Sequence, residues 1–133
     1  MKNNTKVNAA ILIIGNEILS GRTQDTNTST LAKWLNTMGV NISEVRVIPD
    51  IEKTIVDTLN FLRKSNNYVF TTGGIGPTHD DITAKSVSKA FDLTYEIHKE
   101  AFEILKAYYK TGEFNDGRQK MTWMPKNAKL ILN

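Results

Sequence analysis

Eleven consecutive residues, Thr71-Thr72-Gly73-Gly74-Ile75-Gly76-Pro77-Thr78-His79-Asp80-Asp81, constrain this chain more than any other stretch. An apolar run, Tyr68-Val69-Phe70, leads into them, and a helical pattern from Ile82 to Phe91 leads out. Three glycines in four residues free the backbone to take positive φ and to approach a ligand closely. Consecutive amide N–H groups just before a helix N-terminus make a seat for an anion. Pro77 fixes one φ and stiffens the exit. Asp80 and Asp81 stand beside that seat, where alone they would repel a phosphate. The pattern therefore calls for a bridging divalent cation, or for a ligand that carries N–H donors as well as phosphate. The plainer alternative is a strand-to-helix turn with Asp80 or Asp81 as N-cap. A glycine pair alone would favour that turn; the whole stretch favours a site.

The rest of the chain supplies a scaffold for it. Ala9 to Ile14 is an unbroken apolar run rich in branched residues, suited to a strand covered on both faces of a parallel sheet. A long polar loop, Gly15 to Asn27, follows. Leu31, Trp34, Leu35 and Met38 then recur at helical spacing, which predicts a core-facing stripe stopped by Gly39. Val40, Ile42, Val45 and Val47 mark a second strand, ended by Pro49-Asp50. Asp50 is placed to cap a helix with an apolar stripe of Ile51, Ile55, Leu59 and Leu62. Ser65-Asn66-Asn67 breaks the chain before a third strand, Tyr68 to Thr71. After the glycine loop, Ala84, Val87 and Phe91 face inward from one helix, and Ala101, Phe102, Leu105 and Tyr109 predict another. Thr111 to Gly117 reads as a polar loop and Ala128 to Leu132 as a final strand.

Strand and helix alternate three times, which predicts an α/β fold with a mostly parallel sheet and right-handed crossovers. Three special loops each follow a strand, so all emerge at the carboxyl edge of the sheet, where open α/β sheets bind ligands. Glu17, Asp25, Asn27, Asp50, Asp80 and Asp81 are expected to converge there with the glycine loop. Each acid alone is a commonplace cap or solvated charge; their shared edge is what points to a site.

Composition narrows the chemistry. At 133 residues the chain has the size of one domain with a real core. It carries a net charge of +3, but the lysines are scattered, which speaks for a solvated surface and against a nucleic-acid face. There is no cysteine, hence no disulfide, thiolate metal site or cysteine nucleophile. Two histidines, His79 and His98, are too few for a multi-histidine zinc site. No apolar run approaches membrane-spanning length, and the start, Met1 to Lys6, reads as a frayed terminus of a cytoplasmic protein. The phosphate-binding G-x-x-x-x-G-K-[ST], the dinucleotide G-x-G-x-x-G and the G-x-S-x-G elbow are all absent from the sequence.

The run Thr72 to Thr83 resembles the signature of the molybdopterin-binding domain of the MoaB/Mog type. Gly15-Asn16-Glu17-Ile18-Leu19-Ser20-Gly21, Asp25-Thr26-Asn27 and Val47-Ile48-Pro49-Asp50 resemble its branch at the N-terminus of CinA (competence/damage-inducible) proteins. Ile75, where cofactor enzymes of the Mog type often carry threonine, is similar to the CinA-like branch. The resemblance implies a single three-layer α/β/α domain over residues 1–133, its C-terminal end short relative to the family. It implies that Thr72, Gly73, Gly74, Gly76, Pro77 and Thr78, with Glu17 and Asn27, bind a molybdopterin or nucleotide phosphate. Asp50 and Asp81 match catalytic carboxylates, and Asp80 with Asp81 would hold Mg2+ or another divalent cation. Two reactions are implied: adenylyl transfer to molybdopterin, or metal-dependent hydrolysis of ADP-ribose-like pyrophosphates. A non-catalytic ligand-binding module is the alternative from another class. Relatives form dimers or trimers, so a homo-oligomer is expected, without nucleic acid or membrane partners.

Overall fold

A computed structural model describes residues 6–133; the first five, on which the frayed terminus falls, lie outside the described residues. The central strand is β1, Val7–Ile14, whose last six residues are all buried. Its parallel neighbours are β2, Val40–Ile48, and β3, Tyr68–Thr72, giving the order β2-β1-β3. Parallel pairing follows from the helices that intervene between the strands. The register shifts once, between Ala9 and Ala10, and thereafter sets Leu12 beside Arg46 and Ile14 beside Ile48.

Side chains alternate across the sheet, so the two faces differ. Ala10, Leu12 and Ile14 join Ile48, Ala90 and the buried Ile55, Leu59 and Leu62 of α3, Glu52–Leu62, in the main core. Helix α4, Thr83–Ala90, closes the same face beside α3. Ala9, Ile11 and Ile13 point the other way, where α2, Asn27–Thr37, lies against β2. The result is the expected three-layer arrangement around a mostly parallel sheet.

Several expectations need correction. In α2 only Leu35 is buried; Trp34 and Met38, expected in the core, are 57% and 60% exposed. The helix meets little more than one edge strand and so needs a narrower stripe than its sequence offers. Ile51 is exposed and serves as the α3 N-cap residue, with no side-chain cap bond; Asp50 does not cap this helix. Phe91 is also exposed, with the Arg63 guanidinium 4.2 Å over its ring. The polar loop after β1 contains a one-turn helix, α1, Asn16–Leu19. The loop after α5, Lys99–Tyr108, ends in α6, Asp116–Lys120, which Asn115 caps by accepting from Arg118 N–H.

The final strand is displaced. Trp123–Pro125 forms β5, antiparallel to β4, Tyr95–Ile97, in a second sheet. Residues 128–132 are not a strand. Asn127 takes φ 70°, the Ala128 N–H turns back to the Pro125 carbonyl at 3.0 Å, and Ile131 is 96% exposed. The turn carries the chain away from β5, and no strand edge receives it.

Replacing Ile55, fully buried under β1, by alanine is expected to cost about 2–5 kcal/mol. Trp34→Ala, on the exposed side of α2, is expected to stay within about 0.5 kcal/mol. Urea denaturation of the two variants checks both the core assignment and the correction to α2.

Candidate functional site

The glycine loop is locked to the end of β1. Gly73 has φ 90°, and a Cβ there would fall 2.0 Å from the Ile14 carbonyl oxygen, so only glycine fits. Gly74 has φ 65°, and a Cβ on it would meet Thr83 Oγ1 at 2.3 Å. Thr83 is 2% exposed and closes the loop from the helix side. Its hydroxyl donates to the Gly73 carbonyl at 2.8 Å, and its N–H donates to the Gly74 carbonyl at 3.1 Å. Strand, loop and helix start are therefore one rigid joint.

Asp81 organises the second half of the loop. Its Oδ2 accepts from the Thr78 N–H at 2.9 Å and from the Thr78 hydroxyl at 2.8 Å. It is not the N-cap of α4; that position is Ile82, without a side-chain cap bond. Burial pushes the Asp81 carboxyl up, but the Thr78 hydroxyl and N–H, the Gly76 backbone and the Lys120 charge outweigh it and hold it below its ordinary value. Lys120 reaches the loop from α6 and donates to the Thr78 carbonyl at 2.5 Å.

Three cavities border this joint. A polar one of about 260 Å³ is lined by Glu17, Arg22, Asp50, Gly74, Thr78, Asp80 and Asp81 among others. One of about 240 Å³ meets Glu17, Asp25, Asn27, Thr72 and Gly73. A third meets Gly74, Gly76 and Asp81. All the site residues expected from sequence line one of these cavities except Pro77, whose carbonyl instead packs against Gly117. Asp25, expected in the acidic cluster, is taken up by α2: its carboxylate accepts from the Asn27 N–H at 3.1 Å, the Thr28 N–H at 3.3 Å and the Thr28 hydroxyl. It works as a helix cap.

The polar cavity gathers four carboxylates and one guanidinium. An anion entering it is attracted by Arg22 and repelled by Glu17, Asp50, Asp80 and Asp81. Among the described residues, no three His, Asp or Glu side chains are grouped to hold a metal ion by themselves. The donors present suit a hard cation that takes one or two carboxylates and completes its shell with water and phosphate oxygens. Sequence reading missed Arg22, Thr83 and Lys120 as parts of the site. Arg22 lay in plain view within the loop after β1. Thr83 stands inside the signature run, but its burial is a tertiary fact. Lys120 is 42 residues from its partner, Thr78, and carried no signal.

Residues 10–130 match the family described as "Probable molybdopterin binding domain". A CinA-like protein of Citrifermentans bemidjiense is 35% identical over 126 residues, which cover 93% of this chain and 30% of that protein. The chain spans about half or less of the length of the curated relatives it matches. The crystal structure of the protein CinA from Thermoplasma acidophilum has a TM-score of 0.88 at 29% identity, covering 95% of this chain and 75% of that one. The tungsten cofactor synthesizing protein MoaB from Pyrococcus furiosus shares the fold, with a TM-score of 0.60 at 21% identity over 86% of this chain and 68% of that one. Among the described residues no helix is long and apolar enough to cross a membrane.

Two outcomes test the joint. Gly73→Ala is expected to destabilise the protein by several kcal/mol, on the order of a buried clash with strained φ, read as a lowered urea midpoint. Asp81 has a lowered folded-state pKa, so its stabilisation is present above the ordinary carboxylate value of about 3.9 and is lost as pH falls through that value towards the depressed one. Melting temperatures taken from about pH 6 down to about pH 3 should fall, and Asp81→Asn should flatten that acid limb.

Proposed function

The chain belongs to the molybdopterin-binding-domain family of the MoaB/Mog type, in its CinA-like branch, and from that premise we propose that it binds a nucleotide-like phosphoanhydride at the glycine loop and hydrolyses it. The observation that carries this reading is the polar cavity, where Asp50, Asp80, Asp81, Glu17 and Arg22 face one another across the loop that ends β3. ADP-ribose is the type substrate: a pyrophosphate with a sugar at each end.

Each residue has a part in the reaction. Arg22 offers a planar pair of donors to phosphate oxygens, and the amides around Gly74 add fixed dipoles. Asp81, held ionised by Thr78, keeps the loop in its anion-receiving shape. Asp80 and Asp81 would hold a divalent cation that neutralises phosphate charge and lowers the pKa of bound water. Asp50 lines the same cavity and is free of the helix-capping duty its sequence position allows, so it takes the proton of the attacking water. That water bonds to one phosphorus as the bridging P–O bond breaks. The products are AMP and ribose 5-phosphate.

The MoaB-type fold gives adenylyl transfer to molybdopterin as the second reading, since the same cavity would place a terminal phosphate against an activated one. The two differ in nucleophile and share the binding apparatus.

AMP release from ADP-ribose, measured with magnesium, manganese or cobalt, separates them. Metal-dependent turnover is expected, with Asp50→Asn lowering kcat by roughly 100-fold or more, the scale of a lost general base. A folded protein that shows no turnover with any of the three metals would overturn the hydrolase and leave a binding module or the transferase.

A further inference from the structure

The parallel sheet has two outer edges, and they are built differently. β2 carries a register shift that leaves Ser43 without a partner on β1, and it holds an ion pair between Glu44 and Arg46. Bulges and charges are the usual means by which an edge strand is kept from pairing further. β3 has neither. Its five residues, Tyr68-Val69-Phe70-Thr71-Thr72, include no charge, proline or glycine, and they pair with β1 without a shift. Among the described residues no strand lies on its outer side.

That edge is apolar on both faces. Val69 and Thr71 share the face of Ala10 and Leu12. There a cavity of about 470 Å³ is lined by Leu59 of α3, by Val87 and Phe91 at the end of α4, and by no residue of β1. Tyr68 and Phe70 lie on the other face with their rings stacked, centroids 6.2 Å apart, and Tyr68 is 57% exposed.

A strand-like sequence without a strand stands elsewhere on the molecule. Ala128-Lys129-Leu130-Ile131-Leu132 is apolar and branched apart from one lysine, yet it pairs with nothing among the described residues. Its root is fixed, because His98 Nε2–H donates to the Ala128 carbonyl at 3.1 Å. Beyond that anchor Ile131 is 96% and Leu132 69% exposed. We propose that the outer edge of β3 receives residues 128–132 of a second copy of this chain as a fourth strand, each copy giving its tail to the other.

The two segments match in length and in pattern. Five residues meet five, each run spanning about 17 Å at roughly 3.3 Å per residue. Leu130 and Leu132 share one face of an extended tail, Lys129 and Ile131 the other. The leucines enter the cavity at Leu59, Val87 and Phe91. Ile131 covers Tyr68 and Phe70, while Lys129 keeps its ammonium in water. The exposed parts of Ile131, Leu132, Tyr68 and Phe91 amount to on the order of 500 Å² per chain. Exchange in both directions therefore buries on the order of 1,000 Å², the size at which an interface becomes specific. Each copy presents the same two segments, so the exchange closes on itself as a two-fold dimer. A small ligand would fill the cavity and leave the outward N–H and C=O groups of β3 without partners; a strand satisfies both. This interface stands independently of the phosphate chemistry.

The test is sedimentation velocity of the full chain from micromolar to hundreds of micromolar, where a dimer is expected. Ile131→Lys spoils the tail and Tyr68→Lys the edge. Both side chains are more than half exposed, so far-UV circular dichroism should be unchanged. Each variant alone is expected to weaken self-association tenfold or more. Mixed in equal amounts, the two should associate again, since the intact tail of one meets the intact edge of the other. A monomer at every concentration would overturn the proposal. So would a dimer that both variants leave intact, or a mixture no more associated than its parts. Hydrogen exchange that protects the amides of residues 130–132 in a monomer would place the tail on its own chain and overturn the exchange between copies.

Discussion

The contact between Gly73 and the Ile14 carbonyl is the constraint on which the site depends. It brings the end of β3 so close to the end of β1 that no side chain can stand between them. The Thr83 hydroxyl then ties the Gly73 carbonyl to the start of α4. With those two contacts made, the loop has little freedom left, and Asp81 falls where Thr78 can bind it. A different residue at either glycine would have to move β1 or α4, both of which are committed to the core. The geometry of the candidate site is therefore also the geometry that closes the sheet.

Charge is unevenly placed around the candidate site. Four carboxylates around one guanidinium make a poor resting place for a free anion. Such a cavity favours ligands that arrive with positive counter-charge, or that present donors beside their phosphates. The acids are not equivalent. Asp81 gives its Oδ2 to the Thr78 N–H and hydroxyl, Asp80 lies 3.1 Å from the His79 imidazole at the surface, and Asp50 lines the cavity from the turn after β2.

The sequence carried the parallel sheet and the polar half of the site, because both are written locally. An apolar run such as Ala9 to Ile14 can be little else than a covered strand, and a loop that follows a strand must emerge at its carboxyl end. That reasoning placed Glu17, Asp50, Asp80 and Asp81 together from residues far apart in the chain, and they do line one cavity. Asp25 too reaches that edge, lining a cavity with Glu17, Thr72 and Gly73, but its carboxylate is taken up by the start of α2. Sequence reading failed for Trp34 and Met38 because helical spacing says which residues share a face, and not how much of that face is covered. It also missed β4 and β5. Each has three residues, too short for any period to show, and they exist through pairing with each other.

That short second sheet bears on how rigid the site is. Helix α4 begins at the glycine loop through Thr83 and Ala84, lies along α3, and packs against β5 on its other flank. Its buried serines, Ser86 and Ser88, turn their hydroxyls to the helix's own carbonyls at Ile82 and Ala84, so they ask nothing of their neighbours and let the packing close over them. Moving the loop would require moving α4 against both flanks at once. A ligand that binds here therefore meets a surface already in its final shape, and little of its binding energy is lost to ordering the protein. The polar cavity and the third one, which meets Gly76, sit on either side of this one fixed element. Their spacing is set before any ligand arrives.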